Sequence, residues 1–261
     1  MGANLTIYFA THHPTYPDPI LSKKFVSLFM DCQTFILECA ERWQETDRDR
    51  ENRYYQLSQG TLNPTGALSL REGILNNLAD DKFTMGMQQV LFGKKKEIRL
   101  EQPPLDPSVD HLLDIRYELE LGNVNAAISV YRKQFEDMAS SMTVRDDELV
   151  GNILNAALKS DKTVLVFRGA AHERYLSNML ERESIKATAF RYEKPSLVER
   201  ILFSLTENRN PSEEEFMRSL LADLADTTKD YRTLLSNHAK YETMDKDDLL
   251  KALEKTKGTS S

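Results

Sequence analysis

The chain predicts an α/β fold with a mixed central sheet. Two strand–histidine–helix–strand units supply the sheet, with a large helical insertion between them and a helical C-terminus after them. Three observations carry this expectation. Short apolar, β-branched runs stand near the start of the chain and again around position 165. A histidine follows the first strand of each pair. Elsewhere apolar residues recur at three- and four-residue spacing, which is helical.

Leu5–Ala10 reads LTIYFA, a run suited to a buried strand. Thr11-His12-His13-Pro14 follows, and with Pro17 and Pro19 it predicts an extended loop. Leu21, Phe25, Leu28 and Phe29 share one face of a helix expected over 20–30. TFIL at 34–37 predicts a second strand, ending at Glu38. From about 40 to 58 the chain is strongly charged and helix-compatible, and 60–66 reads as a loop.

Helical patterns then run to 142. One covers 109–121 and closes at Gly122; another covers 124–138, with Ala127, Ile128, Tyr131 and Phe135 on one face. Thr143-Val144-Arg145-Asp146 has capping-box spacing, with Asp in the final place, and predicts a new helix start. Leu149, Val150, Ile153, Leu154, Ala157 and Leu158 follow at core spacing, and Ser160-Asp161-Lys162 closes that helix. TVLVF at 163–167 is the clearest strand. Gly169-Ala170-Ala171-His172 leads into a helix over 173–183 with Leu176, Met179 and Leu180 inward, and 187–192 is a fourth strand.

The α/β domain is expected over 1–205 with its helical insertion at about 42–142, and a C-terminal helical extension over 206–261. In the extension, Ser212 and Glu215 make a capping box before a stripe of Phe216, Leu220, Leu221 and Leu224. Helices near 228–240 and 245–255 and a frayed tail at 258–261 complete it. These helices are expected either to pack on the α/β domain or to pair with a second subunit as a homodimer.

Composition excludes several classes. A net charge of −7 argues against nucleic acid as a general partner. Glu97 and Glu101 offset the short Lys94-Lys95-Lys96 run, which reads as a solvated helix end or loop. Cys32 and Cys39 are the two cysteines and form no C-x-x-C pair, which fits a reducing, cytoplasmic setting. No apolar run nears the ~20 residues a membrane span needs, and no signal segment is visible at the N-terminus. There is no G-x-S-x-G elbow, which argues against a standard α/β-hydrolase serine, and there is no Walker loop or G-x-G-x-x-G. His172-Glu173-Arg174 opens like H-E-x-x-H, but Leu176 stands at the second histidine.

Five histidines occur: His12, His13, His111, His172 and His238. His111 and His238 lie on charged helices, and His111 has Asp110 and Asp114 for a local ion pair. His172 follows a strand and a small-residue turn, and residues just past strand C-termini line the crevice of parallel sheets. Its alternative reading is an exposed helix-start histidine. His12 and His13 follow the other first strand, and in extended backbone only one of them faces the crevice. Glu38 ends an apolar strand, where a carboxylate is costly unless paired or bound to metal, or simply reaches solvent. Arg145 and Asp146 read as a helix start that they help to cap.

Taken together, these pieces resemble the superfamily of TraB/PrgY pheromone-shutdown proteins, Tiki proteins, ChaN-like haem-binding lipoproteins and erythromycin esterases. That group carries two G-x-x-H motifs, each after a strand, and a glutamate ending the second strand. Gly169-Ala170-Ala171-His172 matches the second motif; Ala10-Thr11-His12-His13 matches the first, with Ala10 at the glycine position and His13 at the histidine. Phe35-Ile36-Leu37-Glu38-Cys39 resembles the glutamate stretch, and Arg145-Asp146-Asp147-Glu148-Leu149 the arginine-led helix. The match covers roughly the first 40 residues and 143–192.

The resemblance implies a metal-dependent hydrolase of peptide or ester bonds, with a peptide or small-molecule substrate. His13, Glu38 and His172 would be ligands of a divalent manganese, cobalt or zinc ion, with Glu38 alternatively the general base. Arg145 would stabilise the developing oxyanion. A metal-free esterase with histidine as base, and a non-catalytic binding module on the same cleft, are the alternatives.

Overall fold

The computed structural model describes residues 5–11, 17–37, 47–62, 82–100, 111–154, 162–225 and 231–256. His12, His13, Glu38 and Cys39 lie outside these residues, as do the second half of the 60–66 loop, the helix end expected at 155–160 and the tail. The chain divides into two compact units: Met1–Pro104 with Arg145–Lys194, and Leu105–Val144 with Pro195–Ser261. Residues 105–144 thus group with the C-terminal helices rather than with the sheet, a different division from a boundary at 205.

In the first unit, β1 (Leu5–Ala10), β2 (Thr34–Leu37), β3 (Glu97–Leu100), β4 (Val164–Gly169) and β5 (Ala187–Arg191) form one sheet in the order β3-β2-β4-β1-β5. The four strands expected from sequence share this sheet. Every pairing is parallel, and β3 joins at one edge as a strand the sequence reading did not include. The late strand β4 lies between the two early ones, with Leu5 opposite Val164 on one side and Thr34 opposite Val164 on the other.

Alternation along the strands divides the core between two faces. On one face Tyr8, Phe35, Leu37, Leu165 and Phe167 pack with Ile20, Phe25 and Phe29. These last belong to α1 (Asp18–Leu21) and α2 (Lys23–Asp31). The single helix expected over 20–30 is broken at Ser22, which is extended (φ −63°, ψ 143°) and caps α2 by accepting a hydrogen bond from the Phe25 amide. α3 (Asp47–Gln59) and α4 (Lys82–Leu91) follow in the chain, and Met87 and Leu91 of α4 join this core.

On the other face Leu5, Ile7, Phe9, Ile36, Val164 and Val166 pack with Leu149, Val150, Leu154, Leu176 and Leu180. The connections β1→β2 and β4→β5 run in opposite directions across the sheet. Right-handed crossovers place such connections on opposite faces, and both faces are accordingly covered, as a parallel sheet requires.

α5 (Leu112–Leu121) ends at Gly122, whose φ of +85° is the left-handed conformation a helix stop needs. α6 then runs unbroken over Val124–Glu148 into a π-helical segment, Leu149–Leu154. The helix start expected at 143 is absent, because the Thr143 hydroxyl donates to the Ser140 carbonyl within the helix instead of capping a new one. In a regular α-helix, residues eight apart drift by about 80° around the axis. The wider π turn takes back that drift, so Asp146, Val150 and Leu154 are all buried.

The second unit is helical. α8 (Leu197–Thr206), α9 (Glu213–Ala225), α10 (Tyr231–Glu242) and α11 (Lys246–Lys255) follow α7 (Glu173–Arg182) in the chain, and α9 packs against α8, α10 and α11. The capping box at Ser212 and Glu215 is formed in both directions. Phe216 meets Phe135 edge-on at 5.8 Å, and the Tyr131 hydroxyl pairs with Ser219 at 2.9 Å and donates to Asp223. No helix among the described residues is long and apolar enough to cross a membrane.

Candidate functional site

The site begins with an arginine in an unlikely place. Arg168 follows TVLVF in the central strand, and alternation sets it on the same face as Val164 and Val166. Its side chain is 1% exposed. A guanidinium cannot shed its charge, so burial there demands a carboxylate. Asp146, in the last turn of α6 and itself wholly buried, supplies it. Arg168 donates to Asp146 Oδ1 from Nε at 3.1 Å and from Nη2 at 2.7 Å.

The other oxygen of that carboxylate, Oδ2, lies 2.9 Å from Nδ1 of His172. His172 ends a 3₁₀ turn, Ala170–His172, that joins β4 to α7. Its ring is 4% exposed. Arg168 favours the ionised form of Asp146, and an ionised carboxylate offers only acceptors. Nδ1 is therefore the protonated nitrogen, and in the neutral ring Nε2 carries the lone pair. A histidine with one nitrogen tied to a carboxylate and the other presenting a lone pair suits metal ligation or proton abstraction.

The placement of this group follows from the strand ends. Ala10, the last residue of β1, pairs with Gly169, and Leu37, the last of β2, pairs with Phe167. The chain thus leaves β1 towards His12 and His13, β2 towards Glu38 and β4 towards His172 at one end of the sheet. Of the four residues expected at the site, His172 and Arg145 are described. Arg145 is half-buried and lies about 100° round the helix from Asp146, in the last turn of α6 rather than at a helix start. Among the described residues no three His, Cys, Asp or Glu side chains cluster as a metal set. As a donor, His172 fits a divalent ion as one ligand, with Asp146 behind it.

Asp146 and Arg168 are the residues the sequence reading left out of the site. One signal pointed to them: a permanent cation inside a buried strand requires an anion from elsewhere in the chain. Around them, Tyr175 of α7 donates to Asp147 Oδ1 at 3.1 Å, and burial, then Asp147, raise its pKa. Cys32 is no nucleophile: it is buried, its thiol donates to the Phe29 carbonyl, and burial pushes its pKa up to about 11.

The remaining histidines have structural surroundings. His111 lies 3.5 Å from Asp114 and 3.8 Å from Asp137. His238, expected on its charged helix as either a surface or a core residue, is buried, and neither ring nitrogen has a hydrogen-bond partner among the described residues. The lysine run is solvated at Lys94 and Lys95, as expected, while Lys96 donates to the Met30 and Cys32 carbonyls. Comparison with protein-family models, with curated proteins and with solved structures returned no match.

Proposed function

We propose that this protein is a metal-dependent hydrolase of peptide or ester bonds, working at the C-terminal end of its parallel sheet. The observation that carries the reading is the buried Asp146–His172 pair, set where the strands leading to His13 and Glu38 also end. His172, through Nε2, with His13 and Glu38 would hold the ion. A divalent cation there supplies Lewis acidity, which makes water a nucleophile near neutral pH.

The chain's own residues do the rest. Asp146 keeps the His172 ring in one tautomer and one orientation. Arg168 keeps Asp146 in its acceptor-only form. Arg145, half-buried one residue before Asp146, is the candidate for stabilising negative charge on the substrate carbonyl. The motif resemblance to the TraB, Tiki and erythromycin esterase group supports the same reaction class and leaves peptide and ester substrates open. On this reading the protein acts in the cytoplasm on a small-molecule or peptide substrate.

The test is direct. Metal-free protein is titrated with manganese, cobalt and zinc, and peptide and ester substrates are screened with each ion. The expected result is metal-dependent turnover that His172→Ala and Glu38→Ala abolish. Absence of metal binding by the wild type, with turnover unchanged in both variants, overturns the proposal. Ligand binding without turnover, lost in both variants, replaces it with a binding module.

A further inference from the structure

The turn that carries His172 is closed by a backbone bond from the Glu173 amide to the Ala170 carbonyl. Gly169, Ala170 and Ala171 have no polar side-chain group, and neither the 3₁₀ turn nor α7 has a side-chain cap. Asp146 fixes the ring, and a side chain also anchors the backbone beneath it. That anchor comes from the neighbouring edge of the sheet. Arg191, the last residue of β5, donates from Nη1 to the Ala170 carbonyl at 3.4 Å and to the Glu173 carboxylate. One guanidinium therefore grips the first residue of the turn and the residue just after its histidine. The pair is mostly shielded, with Arg191 15% and Glu173 29% exposed. Glu173 also sits in the first turn of α7, where a negative charge is favoured by the helix dipole.

The same short segment reaches the other histidine-bearing exit. Arg191 Nε donates to the Glu193 carbonyl at 2.5 Å, which folds the chain back. The Glu193 carboxylate then accepts from the Thr11 amide at 3.3 Å, directly after β1. Residues 191–193 thus tie the ends of β1, β4 and β5 together.

We infer that Arg191 is a positioning residue for His172, acting through Glu173 and the Ala170 carbonyl to hold the turn on which the histidine stands. The inference rests on the proposal that His172 is the working residue of the site. A planar guanidinium suits this task because it serves three acceptors in fixed directions, which a lysine ammonium does not.

The experiment compares wild type with Arg191→Gln, Arg191→Lys, Glu173→Gln and the Arg191→Gln/Glu173→Gln double variant. Nitrogen NMR of metal-free protein reads the tautomer of His172, and cobalt absorption reads ion affinity. Arg191→Gln is expected to give a mixture of His172 tautomers and cobalt affinity roughly 10-fold weaker, within the range for second-sphere losses. Glu173→Gln should reproduce part of this effect. The double variant should be no worse than Arg191→Gln, since both changes remove one interaction. Arg191→Lys should restore part of the loss.

Wild-type tautomer signals and cobalt affinity in a folded Arg191→Gln overturn the inference. If Arg191→Gln fails to fold, Glu173→Gln, which spares the bonds to Ala170 and Glu193, decides in its place: an unchanged tautomer refutes. If the wild type binds no cobalt, the hydrolase proposal fails, while the tautomer measurement still decides the role of Arg191.

Discussion

Asp146 Oδ2 stands 2.9 Å from His172 Nδ1, while its other oxygen takes both hydrogen bonds from Arg168. One buried carboxylate therefore orients a histidine and neutralises an arginine at once. Asp146→Asn tests the first role. An amide can offer either an acceptor or a donor to Nδ1, so the ring loses its tautomer preference. Metal affinity should fall roughly 10- to 100-fold, read by isothermal titration with zinc, and turnover should fall with it. Wild-type affinity would show that Asp146 does not orient the ring.

The second role separates stability from function. Arg168→Met leaves Asp146 buried without its cation and should cost about 3–5 kcal/mol. Arg168→Met combined with Asp146→Leu removes the whole pair, and an apolar replacement of a buried ion pair is often neutral or better. The double variant is therefore expected to unfold in urea at a higher midpoint than Arg168→Met, yet to bind metal poorly because His172 has lost its partner. A double variant less stable than the single would contradict this account.

His238 predicts acid sensitivity. Burial, then the nearby Arg200, lower its pKa from 6.5 to about 4, with Glu242 opposing. The unfolded chain takes up the proton near pH 6.5 and the folded chain only near 4. Stability is thus whole above the higher value and declines as pH falls through this window. The loss is on the order of 2–3 kcal/mol. His238→Leu should flatten the urea midpoint between pH 6.5 and 4, and a slope equal to wild type would count against the assignment.

Glu97 governs a lower window at the opposite end of the sheet. Its carboxylate accepts from Lys162 at 2.8 Å, Thr34 at 3.0 Å and Arg99 at 2.8 Å. The Lys162 bond leads in drawing its pKa down to about 2 against the effect of burial. The stabilisation is present above about pH 4.5 and disappears as pH falls towards 2. Glu97→Gln should be modestly less stable at pH 7, and its acid transition between pH 4.5 and 2 shallower. Salt should shrink the difference, because the group is partly exposed.

Much of this architecture is legible in the sequence where local chemistry decides it. LTIYFA, TFIL and TVLVF are strands because apolar, β-branched runs bury well on both faces of a parallel sheet. β3 escaped because EIRL is a short edge strand that keeps Glu97 and Arg99 half-exposed, so its pattern resembles a charged loop. The capping-box spacing at Thr143 misled because no glycine or proline interrupts the helix there. The charged neighbours of His238 leave surface and core both open, and Leu234, Leu235 and Tyr241 place it on the inward stripe of α10. Asp146 and Arg168 are bonded across 22 positions of sequence, and no periodicity reports such a pairing.

The place of β4 has a consequence for how the chain assembles. β1 and β2 are made early, but they do not pair with each other, since β4 stands between them. During synthesis the two early strands therefore wait with their inner edges open until residues 164–169 emerge and fill the gap. Closing such long-range pairings is slow, and unpaired strand edges meanwhile invite association with other chains. Refolding of the sheet-bearing unit should accordingly be limited by insertion of β4. Fragments truncated before residue 164 should aggregate rather than form a smaller version of the sheet.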